Sequence, residues 1–150
     1  MTMNPVHLDK QALMSLSNDL LEKPSSLSTA SRYTVWNGGI YLGAGVLLIL
    51  WPGFTQTLLM ERAFVGSEEG LIRVIGLTVV VIGWLYLFGG LSGGRQVVAA
   101  SVIDRLIFVP VVALPLAIAG VFPHLLVPFT VLDMTLAIGA WLLIAREKLR

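Results

Sequence analysis

Three charged side chains stand inside long apolar stretches, where charge is costly and therefore chemically informative. Asp104 and Arg105 interrupt SVIDRLIFVP, residues 101–110, and Asp133 interrupts LLVPFTVLDMTLAIGA, residues 125–140. A carboxylate inside a bilayer costs roughly 2.5 to 3.5 kcal/mol, so Asp133 needs a partner, a proton or water. These residue types can form a buried ion pair, or the carboxyl group can bind and release a proton.

The composition indicates what surrounds these charges. Of the 150 residues, 56% are hydrophobic and 13% are charged, and the mean hydropathy is +0.85. A bilayer core about 30 Å thick requires roughly 20 apolar residues per helix. Segments of that kind cover about 33–51, 70–91, 96–122 and 124–145. Because the runs do not alternate as barrel strands do, we predict an all-α membrane protein with a four-transmembrane-helix bundle over 33–150.

The distribution of basic residues predicts cytoplasmic N- and C-termini. Four crossings put both termini on one face, and that face carries most of the basic residues outside the spans: Lys10, Lys23, Arg32, Arg95, Arg146, Lys148 and Arg150. The opposite face carries Arg62 and, at its edge, Arg73, together with Glu61, Glu68 and Glu69. The positive-inside rule then orients the chain. The basic residues form no patch, so membrane lipid is the expected partner and nucleic acid is not.

The first 32 residues are polar and form a separate cytoplasmic segment in this interpretation. They show no basic start followed by an apolar run, as a cleavable signal peptide would. Leucines at helical spacing over residues 7–22 favour an amphipathic helix. That helix could dock on its own bundle or on a neighbouring chain, or it could lie on the membrane surface; disorder is the remaining alternative.

The helix frame places Asp133 near the membrane midplane. If the third helix begins at Gln96, Arg105 lies roughly 13 Å deep and about 6 Å from the height of Asp133. We therefore expect an ion pair between Arg105 and Asp133. If the helix begins at Asp104 instead, Asp104 and Arg105 mark the cytoplasmic border. Asp104 cannot face the same direction as Arg105, because successive helical residues point about 100° apart.

Two interpretations of Asp133 remain open. In the first, Asp133 and Arg105 fix the register of the last two helices and have no further role. In the second, Asp133 titrates in a polar cavity lined by the other polar groups of the spans: Asn37, Tyr41, Thr78 and Thr130. Arg73 is expected to extend towards the outer surface or to pair with Glu69, and reaches Asp133 less easily.

Small residues suggest how the helices pack. Gly39 and Gly43 form a small-xxx-small face on the first helix, and Gly76 and Gly83 lie two turns apart on the second. Such faces allow close backbone contact, either within the bundle or between copies of the chain. Pro110 and Pro115 should bend the third helix.

The residues of common catalytic sites are missing. His7 and His124 lie on opposite faces of the membrane and cannot share a metal, and the sequence contains no cysteine. It also contains no phosphate-binding loop and no nucleophile elbow. We therefore expect no catalytic residue, no bound metal, no cofactor and no enzymatic activity.

Three segments carry a resemblance to a known family. GLIRVIGLTVVVIGWLYLFGG, SVIDRL and LDMTLAIGAW, between Gly70 and Trp141, resemble the small four-helix DoxX-like membrane proteins and, more narrowly, the BphX-like family of bacterial aromatic-degradation operons. The resemblance implies a bacterial inner-membrane location, with no activity or catalytic residue to transfer.

The expected function follows from the architecture and from this resemblance. We expect an accessory or scaffold subunit, or a carrier for small hydrophobic compounds, aromatic ones among them, acting as a homo-oligomer or in a larger membrane complex. The alternatives are a proton-coupled transporter that uses Asp133 and a non-catalytic subunit of a membrane oxidoreductase.

Overall fold

The computed structural model describes residues 18, 22 and 24–149, and this part of the chain contains five helices and no strand. The helices are α1 (Thr29–Leu50), α2 (Pro52–Leu58), α3 (Glu68–Leu91), α4 (Arg95–Ile118) and α5 (Pro123–Lys148). All except α2 are long and apolar enough to cross a membrane. The predicted all-α class and the four apolar spans are therefore confirmed. The amphipathic helix expected over 7–22 lies outside the described residues, apart from Asn18 and Glu22.

Local capping explains where the spans begin and end. α1 begins four residues before the predicted start because Ser28 caps it, its Oγ accepting from the backbone N–H of Ser31 at 3.0 Å. α4 ends at Ile118 and not at Phe122, because Gly120 adopts φ +84° in the turn that follows. Pro123 then opens α5 at a position where a missing N–H costs nothing.

Glycines bring α1 and α3 into backbone contact. Gly38 and Gly45 of α1 face Gly83 and Gly76, respectively, of the antiparallel α3. On each helix the two glycines lie seven residues apart. A Cβ atom at Gly45 would lie 2.7 Å from the Gly76 carbonyl oxygen, and one at Gly83 would lie 2.6 Å from the Leu42 nitrogen. Only glycine permits this approach. The prediction for Gly76 and Gly83 is therefore confirmed.

Gly39 and Gly43 do not pack within the bundle, so that alternative is wrong, and packing between copies of the chain stays a prediction. Both residues are exposed, and a Cβ atom on either would meet nothing within 4 Å. The contact face is instead formed by their neighbours Gly38 and Gly45. Residues seven positions apart stay on nearly the same face of a helix, whereas residues four positions apart are turned further around the helix axis.

At each end of the bundle, a polar contact joins α5 to another part of the chain. At one end, which we call the terminal end, the Ala30 N–H of α1 donates to Glu147 Oε1 of α5 at 2.9 Å. At the other, the loop end, the Glu61 carboxylate accepts from the His124 N–H at 3.1 Å. Both chain ends of the bundle therefore lie on the same side, as four crossings require.

Two of the charged residues at the loop end pair with acidic neighbours. Arg73 contacts Glu69 at 2.8 Å and donates to the Ile49 carbonyl at 2.6 Å, which confirms the expected pairing. Arg62 makes a bidentate contact with Glu68, at 2.5 and 2.8 Å, and this hydrogen bonding raises the pKa of Arg62.

The bundle has an apolar outside and a partly polar inside. Large apolar side chains point outward, and Trp36, Val111 and Ile118 are 76%, 65% and 87% exposed. Polar side chains are buried between the helices, among them Ser31, Thr34, Asn37, Ser101, Arg105, Thr130 and Asp133. A water-soluble protein shows the opposite arrangement. The distribution fits a protein whose surrounding solvent is lipid.

Candidate functional site

A π-helical turn in the middle of α4 positions two of the charged residues. Residues Asp104–Phe108 form this turn, and the Val109 N–H closes it on the Asp104 carbonyl. Pro110 follows directly; it has no N–H to continue the α-helical pattern, and its ring would clash with the carbonyl of Leu106. The wider turn accommodates the proline, and the bend predicted at Pro110 and Pro115 stays a prediction. Insertions of this kind are frequent at functional sites.

Arg105 is fully buried in this turn and is held by its own helix and by α3. Its Nε donates to the Ser101 carbonyl at 2.9 Å, and its Nη2 donates to Ser101 Oγ at 3.0 Å. The guanidinium carbon lies 4.7 Å from the centre of the Tyr86 ring, which is a cation–π contact. Since α4 begins at Arg95, the alternative in which Asp104 and Arg105 mark the start of the helix is wrong.

Asp104 contacts the hydroxyl group of the same tyrosine and is half-buried. The Tyr86 hydroxyl donates to Asp104 Oδ2 at 3.0 Å. We call Tyr86, Ser101, Asp104 and Arg105 the Tyr86 cluster. It combines one carboxylate and one guanidinium around a single ring, so its formal charges cancel.

A groove of about 500 Å³ runs between α3 and α4 beside this cluster. Trp84 and Phe88, whose ring centres are 4.3 Å apart, line its apolar part, while Tyr86, Ser101 and Asp104 supply its polar end. Trp84 is 48% exposed, so the groove opens on the outer surface of the bundle. Gly89 faces Val97 across the helix pair and lets the two helices approach there. The volume is within the range of small-molecule sites.

A second polar group of residues lies between α1 and α5. Asn37 and Asp133 are each 1% exposed, and Tyr41 is buried beside them along α1. Three polar atoms have no hydrogen-bond partner: Asn37 Nδ2, Tyr41 Oη and Asp133 Oδ1. The fourth polar residue, Thr130, donates to the Leu126 carbonyl at 2.7 Å. We call Asn37, Tyr41, Thr130 and Asp133 the interior site.

The two groups of residues meet at a pair of tyrosines. The ring of Tyr41 stands edge-on to that of Tyr86, with centres 5.4 Å apart, and it makes a second aromatic contact with Phe129 of α5 at 6.1 Å. Thr78, which we predicted to line the same cavity, does not reach it. It is exposed on α3, and its hydroxyl donates to the Val74 carbonyl at 3.1 Å.

The ion pair predicted between Arg105 and Asp133 is not formed. Among the described residues, the basic groups within 4.0 Å of a carboxylate are Arg62 and Arg73, and both Arg105 Nη1 and Asp133 Oδ1 lack a partner. Side chains on a helix lean towards its N-terminus. Because α4 and α5 are antiparallel, Arg105 leans towards the terminal end and Asp133 leans towards the loop end. The distance between the two charged groups is therefore larger than the difference in height between the two residues suggested.

The described residues contain no group of three or more His, Cys, Asp or Glu side chains that could hold a metal ion. His124 lies at the loop end, where its Nδ1 is 2.8 Å from the Met60 carbonyl. The chemistry available at the Tyr86 cluster and the interior site is hydrogen bonding, charge binding and proton binding.

No protein-family model matches the chain, and no curated protein or solved structure matches it either. The resemblance to BphX-like and DoxX-like proteins therefore stays a prediction. So do the accessory or scaffold role and the expected absence of enzymatic activity.

Proposed function

We propose that this multi-pass membrane protein binds small hydrophobic compounds in the groove between α3 and α4. The compound would have an aromatic or otherwise apolar body and one hydrogen-bond donor. The observation that carries this proposal is an apolar groove of about 500 Å³ that ends at the carboxylate of Asp104.

The groove matches such a ligand at both of its ends. Trp84 and Phe88 offer aromatic faces to an apolar ring, and offset aromatic pairs add to the free energy of burial. Asp104 accepts one hydrogen bond from Tyr86 and keeps further acceptor capacity, since an ionised carboxylate has about four lone-pair sites. Because Arg105 already supplies a positive charge within the Tyr86 cluster, a neutral donor such as an N–H or hydroxyl group fits better than a second cation.

The opening of the groove on the outer surface supports entry from the lipid. A hydrophobic compound partitions into the bilayer, so a lateral opening between two spans gives it a direct route to Asp104. The distribution of basic residues supports a cytoplasmic location for both termini, which would place the groove in the cytoplasmic half. A bacterial inner membrane and aromatic ligands are the setting that the resemblance to BphX-like proteins implies.

Indole and indene test this proposal, because they have nearly the same shape and only indole carries an N–H donor. We expect the purified chain in mild detergent to bind indole more tightly than indene by roughly ten- to a hundredfold, the effect of one hydrogen bond to a charged group. Isothermal titration calorimetry measures both affinities, with protein-free micelles as the blank for partitioning.

Two variants locate the binding site. Asp104→Asn should bring the ratio of the indole affinity to the indene affinity closer to one, because the amide is a weaker acceptor than the carboxylate. Thr78→Val, which removes an exposed hydroxyl from the outer side of α3, should leave both affinities unchanged. Equal affinities for indole and indene, or an unchanged preference in Asp104→Asn, would refute the proposal.

A further inference from the structure

Asp133 is the buried charge for which the bundle provides no counterpart. It is 1% exposed, its Oδ1 atom accepts no hydrogen bond, and no lysine or arginine of the described residues lies within 4.0 Å of it. Arg105 is turned towards Ser101 and Tyr86, beside Asp104. A bare carboxylate at this depth would be costly. A positive charge from outside the chain would remove this cost.

Two contacts place Asn37 and Asp133 at the same height on α1 and α5. Tyr41 of α1 packs against Phe129 of α5, with ring centres 6.1 Å apart. Two turns nearer the terminal end, the Tyr33 hydroxyl lies 2.5 Å from the position of a Cβ atom at Gly139. In this antiparallel pair, Asn37 lies between Tyr33 and Tyr41, and Asp133 lies between Phe129 and Gly139.

The side chains of this layer could all contribute oxygen ligands. Asp133 offers a carboxylate, Tyr41 and Thr130 offer hydroxyl groups, and half a turn of the Asn37 amide exchanges its Nδ2 and Oδ1 atoms. The three unpartnered atoms lie on two facing helices and are closed off from the surface. Buried polar atoms are ordinarily satisfied, so this arrangement calls for an occupant.

We propose that Asn37, Tyr41 and Asp133 bind a single positive charge between α1 and α5, either a proton on the carboxyl group or a sodium ion. As a proton acceptor, Asp133 becomes a neutral acid whose O–H donates to the reversed Asn37 amide. As a sodium ligand, it stays ionised, and the hydroxyl and amide oxygens complete the coordination. Either occupant removes the net negative charge from the bundle interior. The inference does not depend on ligand binding in the groove.

Other titratable groups contact this part of the bundle, either directly or through the ring pair of Tyr41 and Tyr86. They are Tyr33 and Tyr41 on α1, Tyr86 on α3, and Asp104 and Arg105 on α4. Asp104 is the one other carboxyl group among them, and it accepts a hydrogen bond from Tyr86. Asp104→Asn is therefore the matched control for a change at Asp133.

Two measurements on the purified full chain in detergent separate the two occupants. Infrared spectroscopy at neutral pH detects the carbonyl stretch of a protonated carboxylic acid. Thermal unfolding in sodium chloride is compared with unfolding in choline chloride at the same ionic strength. A bound proton gives the acid band and no difference between the salts. A bound sodium ion gives no acid band and a Tm that rises with sodium concentration until it saturates.

The variants assign the signal to Asp133. We expect Asp133→Asn to lose the acid band or the sodium effect, whichever the unaltered chain shows, and Asp104→Asn to keep it. Should Asp133→Asn fail to fold, retention of the signal in Asp104→Asn still excludes the other interior carboxyl group. The proposal is overturned if the unaltered chain shows neither signal, if Asp133→Asn keeps it, or if Asp104→Asn abolishes it.

Discussion

A single methyl group at Gly38 should destabilise the bundle, whereas the same methyl group at the adjacent Gly39 should not. A Cβ atom at Gly38 would lie 2.5 Å from the Leu87 nitrogen and 2.8 Å from the Gly83 carbonyl oxygen. One at Gly39 would meet nothing within 4 Å. The two substitutions have the same chemistry and the same depth, so their difference isolates the contact between α1 and α3.

The size of the effect follows from those distances. Carbon atoms pack without strain at about 3.5 to 4.0 Å, so the helices must separate by roughly 1 Å to admit the methyl group at Gly38. The obstructing atoms belong to the backbone of α3 and cannot rotate away. Overpacking of this kind costs about 1 to 3 kcal/mol. Gly39→Ala should instead be neutral or stabilising by up to about 1 kcal/mol, because alanine is the better helix former.

Reversible unfolding in detergent, followed by circular dichroism, measures both free energies. The double variant Gly38→Ala with Gly83→Ala adds a check, because each Cβ atom meets the carbonyl oxygen of the other residue. One separation of the helices relieves both clashes, so the double variant should cost less than the sum of the single changes. Equal stability of Gly38→Ala and Gly39→Ala would show that this contact does not hold the bundle together.

Three further results are expected. Asp133→Asn and Arg105→Gln should change the free energy of unfolding additively, within about 0.5 kcal/mol, because the two side chains do not pair. A coupling energy above about 1 kcal/mol in a double-mutant cycle would instead show that they form an ion pair. Glu61→Ala should cost about 1 kcal/mol by removing the acceptor for the His124 N–H at the start of α5, and Glu61→Gln, which keeps an acceptor, should cost less in the same melts. Because the sequence contains no cysteine, the single variants Ser67→Cys and Gln96→Cys can test the topology. An impermeant thiol reagent added to intact cells should label Ser67→Cys and not Gln96→Cys. The reverse pattern would contradict cytoplasmic termini.

The membrane spans could be predicted well from the sequence because each of them is a long run of apolar residues that are neighbours in the chain. All four predicted segments overlap the observed helices, and the limits of α3 and α5 differ from prediction by at most three residues at either end. The error at the end of α4 has a local cause that could have been noticed. Gly120 is the kind of residue that ends a helix, and Pro123 is the kind that opens one.

The sequence was less informative about which side of each helix faces the interior. When the surroundings are lipid, apolar residues cover both the outside and the core, so hydropathy marks no inner face. Gly39 and Gly43 matched a familiar motif and pointed outward. A better signal was present, because the glycines at 38 and 45 and those at 76, 83 and 90 repeat every seven residues. Gly90 fits this pattern, since a Cβ atom there would lie 2.9 Å from the Ser31 carbonyl oxygen of α1.

The absence of the predicted ion pair changes the meaning of the buried charges. Sequence position placed Arg105 and Asp133 close in height, but it did not show that antiparallel helices make their side chains lean apart. Arg105 instead packs on Tyr86, whose hydroxyl binds Asp104, so those two opposite charges share one ring. The two carboxyl groups therefore differ in kind. Asp104 is balanced within the bundle and can offer hydrogen-bond capacity to a ligand, whereas Asp133 has no internal counterpart and depends on a charge that the chain itself does not supply.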